Sequence, residues 1–234
     1  MNELAQAFKM ALALILTGDS DLLEIVWLTM QVSISAVAVA SLAALPLGGA
    51  LALFSFPGRR TLIILLNSLM GLPPVVVGLL VYLLLSRQGP LGEWGLLFTP
   101  TAMVIAQCIL VFPIVAALTR QVVEDLWGEY GEQLRSLGAS RLRSVATLLL
   151  EGRFALSTVV LAGFGRAIAE VGAVLIVGGN IAHLTRVMTT AIALETSRGE
   201  LSLALGLGIL LIGLSVSVNG AAYLLREYSG WRHG

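Results

Sequence analysis

The chain has 234 residues, of which 57% are hydrophobic and 12% charged, and its formal net charge is zero. A soluble domain carries about 25% charge, so these side chains cannot clothe a globular surface in water, and the chain must lie in lipid or be covered by partners. Zero net charge gives no support for binding nucleic acid or other polyanions. The single cysteine, Cys108, sits in an apolar run and excludes a disulfide framework or a cysteine metal cluster. The only lysine, Lys9, lacks the glycines of a G-x-x-x-x-G-K-[ST] phosphate loop. Any ATP that drives this protein must be held by another subunit.

In chain order, residues 3–17 come first. Leu4, Phe8, Ala11, Leu12 and Ile15 share one helical face, and Glu3, Gln6 and Lys9 lie off it. This pattern predicts a short amphipathic helix on the membrane surface, within an interfacial region 1–22. The uncharged stretch Met10–Gly18 is too short to cross, and the acidic start argues against a secretory signal. Gly18 is expected to end this helix, and Asp21 with Glu24 to cap the start of the next.

About 20 apolar residues cross a bilayer core of about 30 Å. Runs of that kind place five spans at roughly 24–54, 61–86, 100–119, 154–178 and 201–225. The expected fold is therefore an all-α integral membrane protein, with a permease domain over 23–228. Arginine placement sets its orientation. Arg59 and Arg60, then Arg120, Arg135, Arg141, Arg143 and Arg153, then Arg226 and Arg232 all fall on one side of a five-span chain. That side should be cytoplasmic, with the N-terminus outside and the C-terminus inside.

Between the third and fourth spans, Leu134 and Leu137 lie on one helical face and Glu132 and Arg135 on the other. Gly138 can take positive φ and stop that helix, and Ser140 can cap another. The expected product is two short helices meeting at a glycine elbow. Two histidines, His183 and His233, fall in a loop and the tail, and no H-E-x-x-H or G-x-S-x-G motif occurs. The residues thus point to no covalent chemistry.

Glu132-Gln133-Leu134-x-x-x-Gly138 resembles the "EAA" loop of bacterial ABC importer permeases, with Gln133 and Leu134 in place of the alanines. Leu148 stands where that pattern has Ile, and Leu150-Glu151 where it has Leu-Pro. Further segments resemble molybdate, sulfate and tungstate permeases: Leu72–Gly78, Gly163–Ala173 and Gly178-Gly179-Asn180, with Thr185–Thr196 most like the tungstate branch. The resemblance covers residues 24–225 and implies a type I, MetI-like permease. It implies that Glu132, Gln133, Leu134, Gly138, Ala139 and Ser140 couple to an ATPase. The implied partners are two ATP-binding cassette subunits, an extracytoplasmic oxyanion-binding protein and a second copy of the chain, in a bacterial or archaeal plasma membrane. ATP belongs to the partner, and this chain needs no cofactor.

A transport path is expected where intramembrane residues break the apolar pattern. Pro73 and Pro74 should kink the second span and free a carbonyl. Arg166 and Glu170, four apart, could pair on one helix and steer an anion, or lock that helix to its neighbours. Gly165, Ala169 and Gly172 suggest a small-residue packing stripe, and Asn180, Thr185, Thr189 and Thr190 are neutral donors at the outer end. Molybdate or sulfate is the alternative cargo to tungstate. An ion-coupled carrier or channel is the alternative class, and inverted repeats would favour it, but none is visible.

Overall fold

A computed structural model describes residues 8, 9, 12, 13 and 20–231, with side chains through residue 220. Most of the expected surface helix at 3–17, and its stop at Gly18, lies outside the described residues. The regular structure of the described residues is all helical, with no strand among them. The order is α1 (Ser20–Leu53), α2 (Arg59–Leu69), α3 (Pro74–Leu85), a 3₁₀ turn (Gly92–Trp94), α4 (Pro100–Ser136), α5 (Arg141–Glu151), α6 (Arg153–Ile168), α7 (Gly172–Gly178), α8 (Met188–Arg198) and α9 (Leu201–Trp231). Three helices, α1, α4 and α9, are long and apolar enough to cross a membrane, and the number rises to five if α2 with α3 and α5 with α6 each form one broken span.

The breaks correct the sequence reading. The kink expected at Pro73 and Pro74 is sharper than a bend within one helix: α2 ends at Leu69 and Pro74 is the first residue of α3, a position where its missing N–H costs nothing. The fourth span is also interrupted. A bend of 75° between α5 and α6 comes just before its expected start at 154, and within 154–178 the helix stops at Ile168 before α7 begins at Gly172. Arg166 and Glu170 therefore do not share one continuous helix, and the expected Gly165–Ala169–Gly172 stripe is cut. Gly165 faces open space, whereas a Cβ on Gly172 would come within 2.9 Å of Val75.

Two compact units divide the chain. The first holds residues 1–34, 74–107 and 168–234. Its centre is a near-contact of backbones, since a Cβ on Gly78 of α3 would lie 2.7 Å from the Ala173 Cα of α7. Leu22, Ala191 and Leu207 form a further core where α1, α8 and α9 meet. Thr29 joins α1 to the start of α8, donating to Ile25 O at 2.6 Å and accepting from Met188 N at 2.9 Å.

The second unit holds residues 35–73 and 108–167. Gly48 brings α1 against α4, where a Cβ would meet Ala116 O at 2.6 Å, and Gly163 lets α6 close on Val111 and Val115. Cys108 is half-buried and donates to Ala36 O at 3.3 Å, as a small packed residue of this apolar layer.

Candidate functional site

The elbow lies wholly in the second unit. It is built on α4, which runs unbroken for 37 residues and so carries its helix well past the expected end of the span near 119. The helix stops through its last carbonyls: Gly138 takes φ 69°, its N–H donates to Arg135 O, and Ala139 N–H donates to Leu134 O, both at 3.0 Å. This is a left-handed helix stop of the Schellman type. Two residues later Ser140 is extended, with φ −66° and ψ 156°, and its Oγ accepts from Arg143 N at 3.4 Å to start α5.

Behind the elbow is a small core. Leu53 from the end of α1, Val123 from α4 and Val145 and Leu148 from α5 are buried together, with Leu126, Trp127, Tyr130 and Leu134 packed on them. Arg135 lies over the Trp127 ring, 5.5 Å from its centroid, and donates to Gly131 O at 3.0 Å. In front of the elbow the surface is open: Leu137 is 81% and Leu142 72% exposed, and Glu132 and Gln133 are exposed as well. The arrangement is a corner, packed from behind, that presents two exposed leucines.

A charged cluster that sequence reasoning missed lies beneath this corner. Both carboxylate oxygens of Glu124 are engaged, Oε1 by Arg59 Nη2 at 2.6 Å and Oε2 by Arg120 Nη1. Arg59 also donates to the terminal carbonyls of α1, Nε to Leu51 O at 2.7 Å and Nη2 to Ala52 O at 3.4 Å. Arg141 donates to the next carbonyl, Leu53 O, and to Ser55 Oγ, both at 3.4 Å. The i, i+4 spacing of Arg120 and Glu124 was a legible signal. Arg59, 65 positions away from Glu124, left none.

In the first unit, Glu170 is 3% exposed, and its Oε1 accepts from Ala173 N at 3.0 Å. It therefore supplies the start of α7 with a carboxylate where a helix favours negative charge. Thr189 donates to Glu170 O at 2.7 Å, and Thr190 donates to Asn180 Oδ1 at 2.9 Å. Asn180 sits at φ 50°. Thr185 donates to Gly178 O and accepts from Ile181 N. These polar groups tie the 170–190 segment together. Arg166, in the second unit, is half-buried in the last turn of α6. Glu24 meets His183 Nδ1 at 2.8 Å. The hydrogen bond from Glu24, then its charge and that of Asp21, hold the His183 imidazolium above its ordinary value.

Apolar helices long enough to pass a bilayer define the class as a multi-pass membrane protein. No family model matches the chain. It is 40% identical to the tungstate uptake system permease protein TupB of Peptoclostridium acidaminophilum, over 97% of this chain and 100% of that protein. It is 38% identical to TupB of Campylobacter jejuni, over 97% and 95% of the two chains. A probable anion ABC transporter permease protein of Haloferax volcanii is 36% identical over 93% of this chain and 97% of its own. The chain therefore belongs to the family of ABC transporter permeases that includes TupB.

Proposed function

We propose that this chain is the membrane subunit of an ABC importer for tungstate. The supporting observation is the elbow, a corner with two exposed leucines, in a chain whose full-length relatives are tungstate uptake permeases. Two copies of the chain enclose the path, two ATP-binding cassette subunits sit beneath them, and an extracytoplasmic binding protein delivers the anion. The arginine-rich ends face the cytoplasm, with the N-terminus outside. Leu137 and Leu142 enter a groove on the ATPase, as an exposed apolar knob on a rigid helix suits. ATP binding moves the elbow and opens the spans outward, and hydrolysis returns them.

The chain's own residues divide the remaining work. Pro73 and Pro74 part α2 from α3, and backbone freed at membrane depth must face protein or water, so this break is read as path lining. Arg166 is read as a path-side guanidinium. Glu170, Asn180 and Thr189 are read as positioning residues, because their polar atoms are already engaged. The test is anion accumulation in cells that express the permease with its ATPase and binding protein. Tungstate should accumulate, and Leu137→Asp or Gly138→Val should abolish both uptake and the ATPase response to binding protein. Uptake of molybdate or sulfate in preference to tungstate would replace the cargo, and anion movement by the permease without an ATPase would overturn the class. Retained tungstate uptake in Arg166→Ala would remove Arg166 from the path.

A further inference from the structure

We infer that Arg59, Glu124 and Arg141 form a transmission joint that ties the elbow to the end of the first span, an inference that rests on the elbow acting as the ATPase contact. A helix leaves its last four carbonyls without intrahelical partners. In α1, Leu51 O and Ala52 O accept from Arg59, and Leu53 O accepts from Arg141. Arg141 is the first residue of α5, directly past the elbow. Arg59 is in turn held by Glu124 of α4, on the near side of the elbow. Both arms of the corner therefore grip one helix end. The Arg59 side of the grip is short and charge-assisted, 2.7 Å to Leu51 O and 2.6 Å to Glu124, and the Arg141 side is longer, at 3.4 Å.

The joint closes over a packed core that the same three helices share, through Leu53, Val123, Val145 and Leu148. A close-packed core transmits displacement because it has little free volume to absorb it. When the elbow shifts, the end of α1 must follow, and the two arginines fix the direction. Arg120 keeps Glu124 turned toward Arg59 by occupying its other oxygen. These are positioning residues, with no contact to cargo or nucleotide required.

The experiment uses the assembled transporter in proteoliposomes, with its ATPase and binding protein, and reads uptake and ATP hydrolysis together. The variants are Arg59→Gln, Glu124→Gln and Arg141→Gln, with Arg59→Lys and Arg141→Lys as conservative partners and Leu137→Asp as the elbow control. In the Arg59, Glu124 and Arg141 variants, basal ATP hydrolysis and the amount of assembled complex should stay near native. Anion moved per ATP should fall by about ten-fold, the size of an ordinary coupling between sites, and the lysine variants should recover part of it. Native coupling in all three glutamine variants, with Leu137→Asp uncoupled, would overturn the joint and leave the elbow standing. Native coupling in Leu137→Asp as well would sink the elbow reading itself. A fall in assembled complex that accounts for the whole loss would make the cluster structural only and also overturn the inference.

Discussion

At Gly138 one dihedral angle decides how the chain turns. With φ at 69° and nothing within 4 Å of the place a Cβ would take, the cost of any side chain there is the backbone conformation alone. Gly138→Ala should therefore lower stability by about 1 kcal/mol, and Gly138→Asn by less, because asparagine tolerates this region. Thermal unfolding of the purified protein in detergent checks the order. Ser140→Ala should cost a similar amount, about 1 kcal/mol, by removing the cap of α5. Glycine and serine at this spacing were readable from sequence because both residues act locally. His183 was not, since its partner Glu24 lies 159 positions away. Its raised value sets the sign: the pair is complete below the ordinary histidine value of 6.5 and is lost as pH rises through the higher folded value. His183→Gln should flatten the stability of the protein against pH from mildly acidic to mildly alkaline buffer. An unchanged profile in that variant would exclude the pair.

Among the elements, the five apolar runs were legible because lipid demands length and apolarity, and both are written in composition. The break at Pro73 and Pro74 was legible too, because proline disrupts a helix locally, but the interruption after α6 was not, because that helix end is satisfied by distant partners. The end at Ile168 depends on Glu170 bonding forward to Ala173 and on Thr189 reaching back to Glu170 O. Spacing placed Arg166 and Glu170 on one continuous helix, whereas α6 ends between them at Ile168 and Glu170 bonds forward to the start of α7. The close approach of α3 and α7 is another matter of tertiary fit. Gly78→Ala would place its Cβ against the backbone of Ala173, which cannot give way as a flexible side chain can. A loss of about 1–3 kcal/mol is expected from such overpacking. Gly128→Ala, on the exposed helical stretch of α4 with nothing within 4 Å, should instead stabilise the isolated permease by about 0.5–1 kcal/mol. Paired thermal melts of the two variants, moving in opposite directions, are the check.

For the molecule as a whole, low charge narrowed the choice to a chain in lipid or one covered by partners before any motif was read, and the length of the apolar runs pointed to lipid. The two units each carry one of the sequence features singled out above. The first gathers the polar segment 170–190, and the second carries the elbow and its charged joint. The apolar window of α9 is only 17% buried within the chain, against 50% for α1 and 56% for α4. Its outer face is left for lipid or a second copy, and the apolar composition that announced a span could not say which. If two copies form the transporter, a cysteine placed at Val216, which is 65% exposed, should either cross-link between copies in membranes or accept a lipid-soluble thiol reagent. The first result would place α9 at the dimer seam and the second in the bilayer.

Helix α4 has its only internal proline at position 113, and from there to Ser136 nothing interrupts it. Those residues make a stiff strut of about 34 Å at 1.5 Å per residue. A swing of about 5° at its anchored end would carry its tip through roughly 3 Å by the same geometry. A displacement applied at the tip would therefore be carried along the helix as far as Pro113 with no proline break on the way.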